Sequence, residues 1–251
     1  MDAVASSSAS DTLHVFTPFS ALHLATAGTC VALLAALAWF GRDLRGTRGE
    51  PHARIALAVA ALAYWIAYNT WWNWHGVDLR TGLPLQACDV SGLVAPVALL
   101  TASRPLRAVL YFWAFGFATQ AYIQPTLTVG PACLLFWAFW GAHTLILACA
   151  IYDLVVLGFR PDWRDYAHAL LATLIWAAVV LSVDLLLRAD YGFVGNPPAD
   201  LAVPAAVAAL GPWPQRLIVI FMLVTIGFAF LLATWLITCR RGDAIEKQTA
   251  T

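Results

Sequence analysis

Seven long apolar stretches, joined by short polar or charged connections, dominate this 251-residue sequence. A helix rises ~1.5 Å per residue, so about 20 apolar residues cross ~30 Å of hydrocarbon. Because lipid offers no hydrogen-bond partners, a spanning segment must satisfy its backbone internally, which favours α-helices. The sequence therefore predicts an all-α, polytopic membrane bundle of seven transmembrane helices. The predicted spans are residues 18–40, 54–74, 83–101, 105–123, 131–157, 165–188 and 214–238.

The composition excludes an ordinary soluble domain. Hydrophobic residues make up 61% of the chain and charged residues only 11%, and the mean hydropathy is +0.75. A soluble domain carries about 25% charged residues, which this chain does not have for a water-exposed surface. The formal net charge is zero, so nothing indicates a nucleic-acid partner, and no motif indicates a cofactor.

The basic residues predict how the chain is oriented. Of the 14 basic residues, 11 fall in the 41–54, 101–107 and 158–165 connections and in the C-terminal tail, and three fall on the other side. Positive residues stay on the cytoplasmic side. We therefore expect the N-terminus outside and the C-terminus inside, which requires an odd number of spans and agrees with seven.

The chain divides into three parts on this interpretation. Residues 1–17 are Ser/Ala-rich at their start and are expected to be a disordered N-terminal tail. Residues 18–238 form the transmembrane domain, and residues 239–251 form a cytoplasmic tail. The protein is predicted to be a multi-pass protein of the cell membrane. Its long Gly/Pro-rich 189–213 loop lies outside, where such a loop often covers a site. The sequence leaves the oligomeric state open.

Eight polar residues fall inside the predicted spans, where an unpaired polar group is costly. Seven of them map to the outer half of the membrane, on different helices, and this convergence predicts a shared site. Each also has a structural alternative, such as interfacial anchoring, a helix-bridging hydrogen bond or solvation at a helix end. The eight residues are His23, Asn69, Asn73, Cys88, Asp89, Gln120, His143 and Asp184.

Cys88 has a setting that suits a nucleophile. Gly82-Leu83-Pro84 is a helix-start signal, so the thiol is expected near a helix N-terminus, where the helix dipole stabilises a thiolate. A histidine from another helix would have to accept its proton, and the sequence alone leaves His143 and His23 as candidates. The remaining cysteines have no paired spacing and are expected to be packing residues; they are Cys30, Cys133, Cys149 and Cys239.

Six motifs occur in a distinctive order along the transmembrane region. They are FTPFSALH (16–23), LPLQACD (83–89), YFWAFGFATQAYIQP (111–125), GAH (141–143), DYGFVGNPP (190–198) and LGPWP (210–214). In this order and spacing they resemble the YwaF-like bacterial integral membrane proteins. That family is similar to a eukaryotic transmembrane family implicated in phospholipid acyl transfer. One difference is Gln86, which stands where many relatives have His.

The resemblance implies catalysis by a Cys in the motif matched by Cys88 and a His matched by His143. Thiolate attack on a lipid ester would form a thioester, and the acyl group would pass to an acceptor. A membrane phospholipid is the expected partner. We assign substrate binding to the other polar residues near this site, namely His23, Asp89, Gln120, Asp184 and Tyr191.

Two other classes of function remain open at this point. The same polar cluster would serve a non-enzymatic transporter or receptor for a small or lipid ligand. A metal-dependent hydrolase built on His23, His143 and Asp184 is less favoured, because no HxxxH or HxxE spacing is present. A retinal pigment is disfavoured because it needs a Schiff-base lysine, and the only lysine in the sequence, Lys247, lies in the C-terminal tail.

The charge asymmetry gives a direct test of topology. Reporter fusions at residue 251 should be active in the cytoplasm, and fusions within residues 189–213 should be active outside, because basic connections are retained inside. A cytoplasmic 189–213 loop would overturn both the topology and the depths assigned to the polar residues.

Overall fold

The computed structural model describes residues 13–201 and 203–249, with the backbone alone for residues 239–249. Nine α-helices organise this part of the chain. They are α1 (Ala21–Gly41), α2 (Glu50–Trp72), α3 (Ala87–Thr101), α4 (Arg104–Trp113), α5 (Gln120–Ile123), α6 (Leu134–Val155), α7 (Trp163–Leu187), α8 (Ala205–Ala208) and α9 (Gln215–Thr249). The predicted all-helical membrane architecture is confirmed.

Five of these helices are long and apolar enough to cross a membrane: α1, α2, α6, α7 and α9. The predicted third span is the shorter α3, which begins at Ala87 instead of residue 83. The predicted fourth span is a composite of α4, a π-helical turn (Ala114–Ala118) and α5. Gly116 lies in that turn, where an added Cβ would meet Phe228 of α9 at 2.6 Å.

The N-terminal segment is partly described. Residues 1–12 of the predicted tail lie outside the described residues. Phe16 is buried, and its backbone N–H donates to the carbonyl of Thr128 over 2.9 Å. Val15 and Val129 form an isolated antiparallel bridge. The chain just before α1 therefore packs on the connection that precedes α6.

Two hydrophobic clusters hold the bundle, and α4 contributes to both. One joins α1, α2, α3 and α6 around Leu99 and Cys149. The other joins α4, α7 and α9 around Phe112 and Phe228. Large apolar side chains on the outer surfaces of the long helices remain exposed, such as Phe230 at 67%. Exposed apolar surface of this kind suits a hydrocarbon solvent.

Ion pairs fix the end of the bundle at which α4 and α7 begin. Arg104 of α4 makes a bidentate contact with the buried Asp165 of α7, with Nε–Oδ1 at 3.0 Å and Nη2–Oδ2 at 2.7 Å. Asp165 and Asp162 form a capping box at the start of α7, so both backbone and side chains are satisfied. We call this the basic end of the bundle, because the arginine-rich connections lie there.

Arg107 and Asp153 form a second pair, one turn further into the bundle. The Arg107 Nε donates to both carboxylate oxygens of Asp153, at 2.8 and 3.0 Å, and its guanidinium lies 4.8 Å from the ring centre of Phe159. Asp153 is 1% exposed. A carboxylate buried this deeply depends on its partner, since an unpaired charge in a low-dielectric interior is very costly.

Removing Arg107 should therefore destabilise the fold severely. We expect Arg107→Ala to lower the free energy of unfolding by about 3–5 kcal/mol, because Asp153 is left buried and unpaired. Arg164→Ala is the matched control: Arg164 is exposed on α7, and we expect a change within about 0.5 kcal/mol. Thermal unfolding in detergent measures both. Equal stability of the two variants would contradict the role given to the pair.

Candidate functional site

A cavity of about 70 Å³ lies between α2, α3 and α6. Three residues from the predicted site line it: Cys88 and Asp89 of α3, and His143 of α6. Tyr64, Trp65 and Tyr68 of α2 complete its polar part, and small or aliphatic residues such as Ala61, Ala95 and Ile146 line the remainder. The cavity therefore has room for a few water-sized groups and both polar and apolar walls.

Cys88 is the second residue of α3. Its side chain is a free thiol, partly exposed into the cavity. The first backbone N–H groups of a helix have no carbonyl partner within that helix, and they carry the positive end of its dipole. The helix N-terminus therefore favours an anion at or beside the Cys88 sulfur, whereas burial and the adjacent Asp89 carboxylate, when ionised, oppose it.

His143 is almost fully buried, at 8% exposure, on the cavity side of α6. Its Nδ1 lies 2.7 Å from the carbonyl oxygen of Phe139, one turn earlier. A carbonyl can only accept, so Nδ1 carries the proton and, in the neutral ring, Nε2 carries a lone pair. The ring of Phe139 packs beside the imidazole at 4.4 Å. This arrangement fixes the tautomer that a proton acceptor at Nε2 requires.

The aromatic residues of α2 form a wall that sequence reasoning missed. The Trp65 indole donates to the backbone carbonyl of Asp89 over 2.8 Å. The Tyr64 hydroxyl lies 3.1 Å from the carbonyl oxygens of Trp137 and Ala138. The sequence did contain a signal for this wall. Tyr68 follows Tyr64 by four residues and Trp65 by three, and both spacings place side chains on one side of a helix.

Two glycines let this aromatic wall approach closely. An added Cβ at Gly92 would lie 2.8 Å from the Trp65 ring, and one at Gly141 would collide with the Tyr64 hydroxyl. Gly92 lies one turn after Cys88, and Gly141 belongs to the motif that ends in His143. The helices carrying the thiol and the imidazole therefore both contact α2 through positions that lack a side chain.

His23 lies in a different environment and does not line this cavity. Its Nδ1 accepts from the backbone N–H of Phe19 at 2.8 Å, and its Nε2 donates to the carbonyl of Tyr122 at 3.0 Å. Phe16 and Trp140 pack around the ring. Both ring nitrogens are thus engaged by backbone, and the histidine joins the start of α1 to α5.

The other assigned residues lie around the site and not in the cavity lining. Gln120 is exposed, and its side-chain amide donates to the carbonyl of Gly116 over 3.4 Å. Asp184 and Tyr191 are each 1% exposed, and the Asp184 carboxylate accepts the backbone N–H of Tyr191 at 2.9 Å. Of the predicted site, the structure therefore brings Cys88, Asp89 and His143 together.

The described residues contain no group of three His, Cys, Asp or Glu side chains that could hold a metal ion. The hydrolase hypothesis built on His23, His143 and Asp184 would need such a group. Both ring nitrogens of His23 are bound by backbone groups, and one carboxylate oxygen of Asp184 accepts the N–H of Tyr191 in the loop after α7.

These features define a polytopic α-helical membrane protein with a thiol and an imidazole lining one cavity. Residues 16–233 match the TMEM164 family, so the chain belongs to that family. An uncharacterized protein of Treponema pallidum (strain Nichols) is similar, with 27% identity over 190 residues, which is 74% of this chain and 78% of the relative. No solved structure matches the chain.

Close packing at Gly92 gives a test of the cavity wall. Gly92→Ala should lower the free energy of unfolding by about 1–3 kcal/mol, because the new methyl group displaces Trp65. Gly28→Ala is the matched control in α1, where an added Cβ meets nothing within 4 Å. That control should be neutral or stabilising, by up to about 1 kcal/mol. Thermal unfolding that ranks the two variants equally would show that Trp65 does not pack on α3 as described.

Proposed function

We propose that this protein is a cell-membrane enzyme that transfers or hydrolyses acyl groups of lipid esters, with Cys88 as nucleophile and His143 as its proton acceptor. The observation that carries the proposal is that both side chains line one cavity. The TMEM164 family match is consistent with a membrane protein, and the YwaF-like resemblance adds the expectation of phospholipid acyl chemistry.

The reaction would proceed in two steps, formation of a thioester on Cys88 and its breakdown. His143 Nε2 takes the thiol proton, and the Cys88 sulfur attacks the ester carbonyl carbon. The ester C–O bond then breaks, and the leaving alcohol, a lysolipid, takes the proton from His143. In the second step His143 deprotonates water or an acceptor hydroxyl, which attacks the thioester carbonyl carbon. The C–S bond then breaks, and the Cys88 sulfur takes the proton back from His143. Water makes the enzyme a hydrolase, and a lipid hydroxyl makes it a transferase.

The start of α3 offers donors for the oxyanion of each step. The backbone N–H groups of Ala87, Cys88 and Asp89 belong to the first helical turn, where no earlier carbonyl of the helix accepts them. Donors fixed by backbone geometry stabilise a developing negative charge without reorganising during the reaction. This is the electrostatic element that a thioester mechanism requires.

The cavity lining supports a lipid substrate. Its polar residues include Tyr68, Cys88 and Asp89, whereas Ala61 and Ala95 lie about one to two turns deeper along α2 and α3. An ester group would lie among the polar residues, and only the first carbons of its acyl chain would contact the apolar ones. In the proposed topology of seven spans with the N-terminus outside, the polar part lies in the outer half of the membrane.

The remaining assigned residues take different proposed roles. Asp89 lines the cavity and is suited to orient the ester or the leaving alcohol. His23 and Gln120 are proposed to act on substrate only indirectly, through the backbone segments they contact. Asp184 and Tyr191 join the loop after α7 to the start of α3 and thereby act on Cys88.

Turnover in reconstituted vesicles tests the chemistry. With a phospholipid carrying a labelled acyl chain, Cys88→Ser and His143→Ala should each reduce turnover by at least about 100-fold, because nucleophile and base act together. Cys133→Ala is the matched control and should retain the wild-type rate. Should Cys88→Ala keep full activity, the covalent mechanism fails and the transporter or receptor hypothesis takes its place.

A further inference from the structure

The segment that follows α7, residues 189–195, lies across the segment that precedes α3, residues 79–86. We call residues 189–195 the strap. The Tyr191 hydroxyl accepts the backbone N–H of Leu83 at 2.9 Å and donates to the carbonyl of Leu79 at 3.1 Å. One buried phenol therefore fixes two backbone groups of the pre-helix segment.

Two further hydrogen bonds hold the residues directly before α3. The strap N–H of Gly192 donates to the side-chain oxygen of Gln86 at 2.8 Å. The indole of Trp176 in α7 donates to the carbonyl of Leu85 at 3.0 Å. Gln86 is the N-cap residue of α3, yet its side chain makes no capping bond to the helix. The strap binds that side chain instead.

The strap is itself rigidly anchored. Asp184 accepts the N–H of Tyr191, and the Asp190 carboxylate accepts the N–H of Gly195 and the Arg216 guanidinium, each at 3.0 Å. Burial raises the pKa of Asp190, and the Arg216 charge partly offsets that effect. Gly192 has φ of +62° and packs under Trp176, where an added Cβ would collide with the ring.

These contacts explain where α3 begins. A helix start normally relies on a capping side chain, usually Ser, Thr, Asp or Asn, and α3 has none. The strap supplies the missing constraint through Tyr191 and Gln86. Because Cys88 is two residues after Gln86, the same contacts determine where the thiol and the first-turn N–H groups lie.

We propose that the strap is a positioning device for Cys88, and that Tyr191 and Gln86 are its positioning residues. Neither residue needs to touch substrate. Each holds the first turn of α3 in place, and the strap thereby determines where the N–H groups of that turn lie relative to the Cys88 sulfur. The inference rests on the proposed function only in taking Cys88 as the nucleophile. The geometry of the thiol can be tested whether or not the protein turns over a lipid.

Alkylation of the thiols by N-ethylmaleimide, resolved by peptide mass, tests the proposal on the full-length protein in vesicles. This reagent is neutral and crosses membranes, so its access to a thiol does not depend on which side of the membrane that thiol faces. Tyr191→Phe and Gln86→Leu should each slow alkylation of Cys88 by about threefold to tenfold, the loss expected when a helix-terminal interaction with a thiolate is weakened. Cys30 and Cys133, both partly exposed elsewhere, should react at unchanged rates.

Two controls separate positioning from general destabilisation. Tyr166→Phe removes a comparable hydroxyl, which bonds to the carbonyl of Thr225 at 3.3 Å, and should leave Cys88 reactivity unchanged. Gln86→His keeps an acceptor for the Gly192 N–H and should restore most of the rate lost in Gln86→Leu. Unchanged or faster alkylation of Cys88, or equal slowing of all three thiols, would overturn the proposal.

The same variants separate this inference from the proposed function. If the wild-type protein turns over labelled phospholipid, the strap variants should lower kcat with little change in KM, because the apolar part of the cavity is intact. If it shows no turnover, the acyl-transfer proposal fails, and selective slowing at Cys88 still supports the strap as its positioning device.

Discussion

The fold depends on satisfying polar groups where water is absent. In hydrocarbon an unpaired N–H, carbonyl or charge costs several kcal/mol, and several buried polar side chains among the described residues have specific partners. Asp153 is held by Arg107 and Asp165 by Arg104 at the basic end, and His23 is held entirely by backbone. Cys88, Asp89 and His143 instead line a shared cavity, and polar groups clustered in this way inside a membrane bundle point to a function.

The proposed activity follows from how three helices meet at that cavity. Helix α6 fixes the His143 tautomer through its own backbone, and α2 contributes an aromatic wall that packs on Gly92. Helix α3 contributes Cys88 at its N-terminus, in a position determined by the strap. In this site α2 and α6 hold their side chains through contacts within the bundle, whereas the start of α3 depends on the strap. The strap is thereby linked to the proposed chemistry at Cys88.

Much of the fold was predictable from hydropathy, and the cavity residues were predictable in part. Apolar length located the long helices, and the motifs that contain Cys88 and His143 contributed two of the residues that line the cavity. The start of α3 was placed four residues early, because Pro84 suits a first helical turn. The sequence does not reveal that Trp176 binds the Leu85 carbonyl, which a longer helix would pair with the N–H of Asp89. His23 and Asp184 were predicted to lie in the same half of the membrane as Cys88, but a predicted depth does not show which way a side chain faces or what already binds it.

Mass spectrometry of the intact protein tests whether Cys88 carries the acyl group. After brief incubation with phospholipid vesicles and acid quenching, we expect a mass increase of one acyl group. Hydroxylamine should remove it, and peptide mapping should assign it to the segment containing Cys88. Phospholipid turnover with no thioester on Cys88, or an acyl group found only on Cys30 or Cys133, would rule out Cys88 as the nucleophile.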